Sequence, residues 1–310
     1  MRVKTKHSVR QVRIAYFVTA IGGLLFTLDL PLLRLSLADQ WTMVFARGIL
    51  LFLAISAVWF VARRQGDGTP FIAGWAGLFV AFTSTVGNIA YINAIVYTSA
   101  ANVVFIIALT PVIATAMSRI ALGERVHSLT WAATFLALAG VSIIAWDGIL
   151  TAKPWGTLLA LISAFCSACA FTVVRATGRK VATSLAIGSL SSALVAAVFY
   201  GVSLPSLLNA GGFGVPAWMW LALNGLVAIP LATVLLANGP RYLPAADVSM
   251  FFLLETVLTP LWVWMIFREV PSPAVLAGGA IVISTLIAHS WWKLGQVASS
   301  IPRAPVGQEN

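Results

Sequence analysis

Long apolar segments recur along almost the whole chain, separated by short polar breaks. A segment of about 20 apolar residues crosses about 30 Å of hydrocarbon as an α-helix. Strands of a membrane barrel are about 10 residues long and alternate apolar with polar side chains, so these segments do not fit a barrel. We predict an all-α membrane protein with ten transmembrane helices, at residues 14–34, 41–62, 71–96, 98–119, 128–147, 155–175, 182–203, 215–238, 244–266 and 273–292.

Composition and the placement of charge also fit a bilayer. The chain is 60% hydrophobic and 9% charged, whereas soluble domains are roughly 45–50% apolar and roughly 25% charged. A net charge of +10 can indicate a nucleic-acid partner, but fifteen of the 19 Lys and Arg residues fall on one side of the predicted topology. This positive-inside distribution puts both termini in the cytoplasm and explains the charge without nucleic acid.

The chain contains an internal duplication at an offset of 145 residues. In an ungapped window of 32 residues, eight positions of 93–124 are identical to their counterparts in 238–269. Because each copy has five helices, the second copy enters the membrane from the opposite side, as in the inverted repeats of secondary transporters. We predict a basic cytoplasmic tail, two inverted five-helix repeats and a cytoplasmic C-terminal tail, at residues 1–13, 14–147, 155–292 and 293–310.

The duplicated segment carries a family resemblance. The stretch "ALTPVIATAMSRIALGERVHSLTWAATFLALAGVSII" at residues 108–144, preceded by "NAIVYTSAANV", resembles the repeat of the EamA family in the drug/metabolite transporter superfamily. The second copy departs from the family pattern: it has Thr256 where a proline often follows the glutamate, and Arg268 where a glycine precedes Glu269. The resemblance implies a transporter of small metabolites. The family often moves its substrates outward, and they include amino acids, but they vary too widely for the resemblance to name the one moved here.

The ninth predicted helix carries an ionisable residue near its middle. Asp247, Phe251, Glu255 and Thr259 recur every four residues and so share a face. Glu255 lies roughly 16 Å into the span at about 1.5 Å per residue. A charged side chain there costs about 2.5–3.5 kcal/mol on insertion scales, so a functional role is the default hypothesis. We predict that Glu255 binds substrate and exchanges a proton during transport; the alternative is a protonated structural carboxyl between helices.

Asp29 and Arg47 are predicted to lie at similar depths on neighbouring helices. Their positions relative to the same end of the two helices agree within about one turn, or roughly 5 Å. One interpretation is a neutralising ion pair between adjacent helices. The other is that Arg47 binds a carboxylate of the substrate.

Other polar and aromatic side chains are predicted to line a cavity between the helices. Few polar anchors among apolar walls suit uncharged or zwitterionic amphipathic solutes better than phosphates, which would need several arginines. For any single Ser or Thr, helix packing is an alternative role. The remaining candidate substrate-binding residues are Asn88, Tyr91, Asn102, Phe105, Thr110, Phe171, Asn224 and Phe251.

Pro111, Pro230 and Pro260 lie inside predicted spans. Proline has no N–H to donate and so kinks a helix. We interpret these prolines either as hinges of a conformational change or as fixed kinks.

An enzyme is not indicated. The histidines are His7, His127 and His289, at a tail, a loop and a span end, and the sequence contains no nucleophile, zinc or phosphate-binding motif. Cys166 and Cys169 lie inside the sixth predicted helix, which fits structural thiols. We therefore predict no cofactor and no metal.

Together these features predict an alternating-access secondary transporter in the cell inner (plasma) membrane. We expect it to export small amphipathic metabolites, such as neutral or aromatic amino acids, with protons as a candidate coupling ion. The alternatives are an exporter of drugs or other cationic compounds, a nucleoside exporter, and a channel. Its partners are the small-molecule substrate and the lipid bilayer, and it is either a monomer or a homodimer.

The charge distribution generates a topology prediction. In intact cells, a thiol introduced into the 148–154 loop should react with a membrane-impermeant reagent, and one in the 63–69 loop should not. Reaction of the 148–154 thiol only after the inner face is opened would contradict the topology.

Overall fold

The computed structural model describes residues 9–66, 68–98, 103, 106–123, 127–149, 154–243, 247–248, 251, 253–268 and 273–299. The Asn102 and Phe105 candidates lie outside these residues. The first half of the chain forms the helices α1 Val9–Phe26, α2 Asp29–Ser36, α3 Gln40–Arg64, α4 Gly74–Tyr97, α5 Thr110–Leu122 and α6 Ser128–Ile149.

The second half is helical as well. A π-helical turn, Leu223–Ala228, joins α10 to α11 without a break. Apart from one isolated bridge between Ala210 and Pro216, the described residues form no strand pairing. The helices are α7 Pro154–Thr177, α8 Ala182–Phe199, α9 Leu204–Leu208, α10 Ala217–Ala222, α11 Ile229–Tyr242, α12 Leu253–Phe267 and α13 Pro273–Ser299.

The described helices include six segments that are long and apolar enough to cross a membrane. These segments are Gln11–Ser36, Gln40–Arg64, Gly74–Tyr97, Pro154–Thr177, Ala182–Phe199 and Ala217–Leu236. Shorter apolar helices follow at Thr110–Leu122, Ser128–Ile143, Val257–Phe267 and Leu276–His289. The protein is therefore an all-α chain with the apolar helices of a multi-pass membrane protein.

The first predicted span is not one continuous helix. The chain turns at Thr27 and Leu28, between α1 and α2. Pro31 cannot donate to the Thr27 carbonyl four residues earlier, and the Thr259 hydroxyl lies 3.5 Å from that oxygen instead. Because of the break, Asp29 lies in the first turn of α2 and not in the middle of one long helix.

Two other predicted spans are shorter as α-helices than the sequence suggested. Ala108 and Leu109 form a turn before α5, and Phe251 lies in a turn before α12. At the first of these turns, the Thr110 hydroxyl donates to the Ile107 carbonyl at 2.6 Å, the oxygen for which Pro111 has no N–H. The start of α5 is therefore stabilised by a side chain.

Asp39 fixes the beginning of α3. Its carboxylate accepts the backbone N–H groups of Trp41 at 3.1 Å and Thr42 at 2.9 Å, which is the geometry of an N-cap. Partial burial raises the pKa of this carboxyl, but the hydrogen bonds from Thr42 and Trp41 outweigh burial and lower the pKa below its ordinary value.

The main helix contacts join the two halves of the chain. Helix α4 packs on α7 and α8, α3 packs on α8, α1 packs on α11, and α6 packs on α13. The two halves therefore share their interior, and any cavity between these helices is lined by both.

Close helix approach depends on small residues. At Gly48 of α3, an added Cβ would overlap the Ser189 carbonyl oxygen of α8 and lie 2.8 Å from the Ala193 Cβ. At Gly140 of α6, an added Cβ would lie 2.8 Å from the Gly278 carbonyl oxygen of α13. Glycine at such crossings lets helix backbones touch, as is common in membranes.

We predict that Gly48→Ala destabilises the protein, because the methyl group must push α3 and α8 apart. Overpacking of this kind costs about 1–3 kcal/mol. Thermal unfolding in detergent should give a lower midpoint for Gly48→Ala and an unchanged one for Gly68→Ala, where no atom lies within 4 Å of the added methyl group. Equal midpoints would mean that the helices separate freely at Gly48.

Candidate functional site

A cavity of about 1000 Å³, its open mouth included, lies between the two halves. Helices α3 and α4 and the start of α5 line it from the first half, and α7, α8, α11 and α12 line it from the second. Its polar lining residues are Arg47, Thr83, Ser84, Asn88, Tyr91, Thr110, Ser163, Ser167, Ser189, Thr233 and Glu255, and its walls include Phe26, Leu51, Phe171, Leu185, Ile229 and Leu236.

Arg47 is the centre of a buried hydrogen-bond network. Its guanidinium donates to the Asp29 carboxylate at 2.7 Å and to the Asn88 side-chain oxygen. The Asn224 amide donates to the other Asp29 oxygen at 2.8 Å, and the Asn88 amide donates to the Ser192 hydroxyl at 2.8 Å. The network joins both halves and neutralises a charge that would be costly in a dry interior.

Tyr91 connects this network to Glu255. The Tyr91 hydroxyl donates to the Glu255 carboxyl at 3.0 Å, and the Arg47 guanidinium carbon lies 5.9 Å from the centre of the Tyr91 ring. Glu255 is buried, with 3% of its surface exposed, and its side chain lines the cavity. One wall of the cavity thus carries a cation, a carboxyl group and a phenol in contact.

Breaks in the helices lie next to several residues of the cavity and of the Arg47 network. Asp29 and Glu255 lie in the first turns of α2 and α12, and Thr110 begins α5. Asn224 lies in the π turn before Pro230, which cannot continue the normal hydrogen-bond ladder. Broken helices with polar termini at the centre are common in transporter binding sites.

Most of the predicted candidates lie together, but with different positions relative to the cavity. Asn88, Tyr91, Thr110, Phe171, Glu255 and Arg47 line it. Asp29 and Asn224 lie behind Arg47 and are fully buried. Phe251 is not among the lining residues; its ring packs on Tyr16 with centroids 6.4 Å apart.

The three prolines occupy different local environments. Pro111 is at the start of α5, and Pro230 follows the π turn at the start of α11. Pro260 lies inside α12. Two of the prolines therefore lie at helix starts, and the third lies within a helix. Their role as hinges stays a prediction.

A second buried network surrounds Asp247, and no sequence motif predicted it. The Tyr16 hydroxyl donates to Asp247 at 2.6 Å, and His289 Nε2 lies 3.9 Å from the other Asp247 oxygen and 3.3 Å from the Thr130 hydroxyl. These four residues come from distant parts of the chain. The spacing of Asp247 with Glu255 was visible in the sequence, but nothing in the sequence paired it with Tyr16.

The chain matches a known family over most of its length. The profile described as the EamA-like transporter family matches residues 12–146 and again residues 154–290. The chain belongs to the EamA-like transporter family. The family match covers two repeats, and members of the family are membrane transporters.

A solved structure shares the fold of this chain over most of its length. One crystal structure, whose description names no activity, superposes with a TM-score of 0.72 at 16% sequence identity. The alignment covers 90% of this chain and 98% of the other. At this identity the likeness concerns the fold alone. No curated protein matches the chain.

The EamA chain has two cysteines whose reactivity tests the cavity. Cys166 lines the cavity, whereas the Cys169 sulfur packs 3.9 Å from the sulfur of Met117. We expect N-ethylmaleimide to react faster with Cys166 in a Cys169→Ser variant than with Cys169 in a Cys166→Ser variant. Equal rates, measured by mass spectrometry, would contradict the cavity lining.

Proposed function

We propose that this EamA-like protein is a secondary transporter with ten transmembrane helices in two inverted repeats. It alternates access to the cavity between the halves and exports small amphipathic metabolites across the inner membrane. The observation that carries the proposal is the cavity itself, which both halves line and which holds polar anchors among apolar walls. Sites at the interface of repeats are the usual arrangement in secondary transporters.

The helix contacts support the inverted repeats. If the five predicted spans of each half are matched in order, α4 corresponds to α11 and α7 corresponds to α1. The contact of α4 with α7 then corresponds to the contact of α11 with α1, and both contacts are present. The pairs α3 with α8 and α6 with α13 each correspond to themselves. Both correspondences are expected when a two-fold pseudosymmetry relates the repeats.

The charges of the site support a solute without net charge. Asp29 already balances Arg47 at 2.7 Å, and Glu255 is the further ionisable group on the same wall. A zwitterion such as an amino acid can use both: its ammonium group suits Glu255 and its carboxylate suits Arg47. Phe171 and the aliphatic walls provide apolar contact for a neutral or aromatic side chain.

A second candidate substrate class is an organic cation. Asp29 neutralises Arg47, so an ionised Glu255 gives the cavity lining a net negative charge. The Tyr91 and Phe171 rings also line the cavity, and aromatic faces attract cations. This arrangement favours drug export as the alternative. A nucleoside, which is neutral and stacks on aromatic rings, fits the same walls less specifically.

We expect counterflow in proteoliposomes to identify the class. Vesicles loaded with unlabelled phenylalanine should accumulate labelled phenylalanine, and an excess of neutral amino acids should compete. A nucleoside and a quaternary ammonium compound serve as the alternative substrates. Tight saturable transport of a phosphate ester without response to amino acids would contradict the proposal, and flux without counterflow would indicate a channel.

We also propose that Glu255 couples transport to protons. Glu255→Gln keeps the shape and the contact with Tyr91 but cannot titrate, so the variant should retain substrate binding and lose the dependence of flux on pH. Glu255→Asp keeps a titratable carboxyl and should retain that dependence. Flux of Glu255→Gln with the parental pH profile would make Glu255 a structural residue.

A further inference from the structure

The segment between α8 and α10, residues 200–216, contacts the N-terminal end of α3, and we name it the cap segment. The Tyr200 ring stacks on Trp41 with centroids 3.5 Å apart and planes 7° from parallel. The Asp39 N–H donates to the Ser206 hydroxyl at 3.0 Å, and the Ser203 N–H donates to the Thr42 hydroxyl at 3.1 Å. The cap segment is thus held on the N-terminal end of α3.

The cap segment is also joined to two short helices. Gly211 lies so close to the end of α2 that an added Cβ would be 2.5 Å from the Leu35 carbonyl oxygen. The Ala217 N–H at the start of α10 donates to the Asn209 carbonyl at 3.0 Å, and α10 packs on α2. The cap segment, α2 and α10 therefore form one packed unit, which we name the cap unit.

The cap unit lies at the N-terminal end of α3, and the cavity lining extends from Arg47 away from that end. On α3 the cavity begins at Arg47, seven residues after the helix starts, and it continues to Leu51. On the antiparallel α8 it reaches Leu185, near the start of that helix. An apolar cluster that includes Leu33, Val44 and Leu221 fills the space on the side of the cap unit.

Asp29 holds the inner ends of both helices of the cap unit. It lies in the first turn of α2, directly after the break at Thr27 and Leu28. It also accepts the amide of Asn224, in the π turn that follows α10. Both helices are therefore interrupted next to the residue that binds Arg47, and hinges of conformational changes are usually such loop or helix-end residues.

We propose that Arg47, Asp29 and Asn224 form a latch that keeps the cap unit closed, and that a solute carboxylate releases it by replacing Asp29 on Arg47. The proposal rests on the transporter function proposed above and names a carboxylate as the group that opens this side. No covalent step is involved, since one carboxylate exchanges for another. Asp29 and Asn224 are then positioning residues, which act on the cap unit through Arg47.

Two features of the site favour this exchange. Arg47 lines the cavity, and among the described residues its buried Nε has no hydrogen-bond partner, so the guanidinium keeps an unused donor for a second carboxylate. A guanidinium can bind a carboxylate through two parallel hydrogen bonds. Arg47 donates to Asp29 through one nitrogen only, so this two-bond geometry is not used in the ion pair. The released Asp29 stays near the positive N-terminal end of α2, which lowers the penalty of losing its partner.

The latch can be tested by crosslinking the cap segment to α3. In a Cys166→Ser/Cys169→Ser background, Trp41→Cys and Tyr200→Cys place two thiols at the stacked pair, and a short bifunctional methanethiosulfonate reports the closed cap unit. Asp29→Asn should slow crosslinking on the order of tenfold, within the usual range of coupling between sites. Arg47→Met removes the other partner of the same ion pair and should slow crosslinking to the same extent.

Asp247→Asn is the matched control, because it removes another buried carboxylate, which accepts the Tyr16 hydroxyl of α1. It should crosslink at the parental rate. Gel filtration in detergent verifies that each variant is folded. Parental crosslinking rates in folded Asp29→Asn and Arg47→Met would overturn the latch, whether or not the protein transports amino acids.

The ligand class is tested in the same assay with three probes. Phenylalanine and 3-phenylpropionate carry a carboxylate and should slow crosslinking of the parent protein, whereas phenethylamine lacks it and should not. Neither carboxylate should slow the Asp29→Asn variant further. Slowing by phenethylamine alone would overturn the carboxylate assignment and favour a cationic substrate.

Discussion

The site depends on one requirement, which is that a buried guanidinium must have its charge balanced. Water cannot do this for Arg47, of which 5% is exposed, so Asp29, Asn88 and the ring of Tyr91 surround it. Removing one partner of such a pair leaves an uncompensated charge in a dry interior. The helices that carry these partners are thereby held at fixed positions around the cavity.

Satisfying Arg47 requires the helices to be irregular. Asp29 begins α2 after a turn in the first span, and Asn224 lies in a π turn within residues 223–228. Regular helices in these places would point the two side chains in other directions. Proline provides the irregularity in both places, because Pro31 and Pro230 cannot donate to the helix ladder. The orphaned carbonyls and the polar side chains then find partners on other helices, as the contact of Thr259 with Thr27 illustrates.

The two repeats share a fold but not a chemistry. The residue that matches Glu255 at the 145-residue offset is Thr110, and both lie at the start of a helix that follows a turn. The Thr110 hydroxyl donates to the Ile107 carbonyl of the preceding turn at 2.6 Å, whereas the Glu255 carboxyl accepts from Tyr91 of the other half. The two repeats therefore frame the cavity together, but at this matched position only the second repeat carries a carboxyl group.

The sequence alone determined the all-α membrane class, the duplication and the family, because run length, charge asymmetry and repeated motifs are properties of neighbouring residues. It also indicated Glu255, Arg47 and Asp29, since charged side chains are rare in apolar segments. The tertiary structure decided which partners these residues have, where helices break, and that Tyr16 bonds Asp247 across 231 positions of the chain. Such pairings depend on how separate helices pack, which local patterns do not encode.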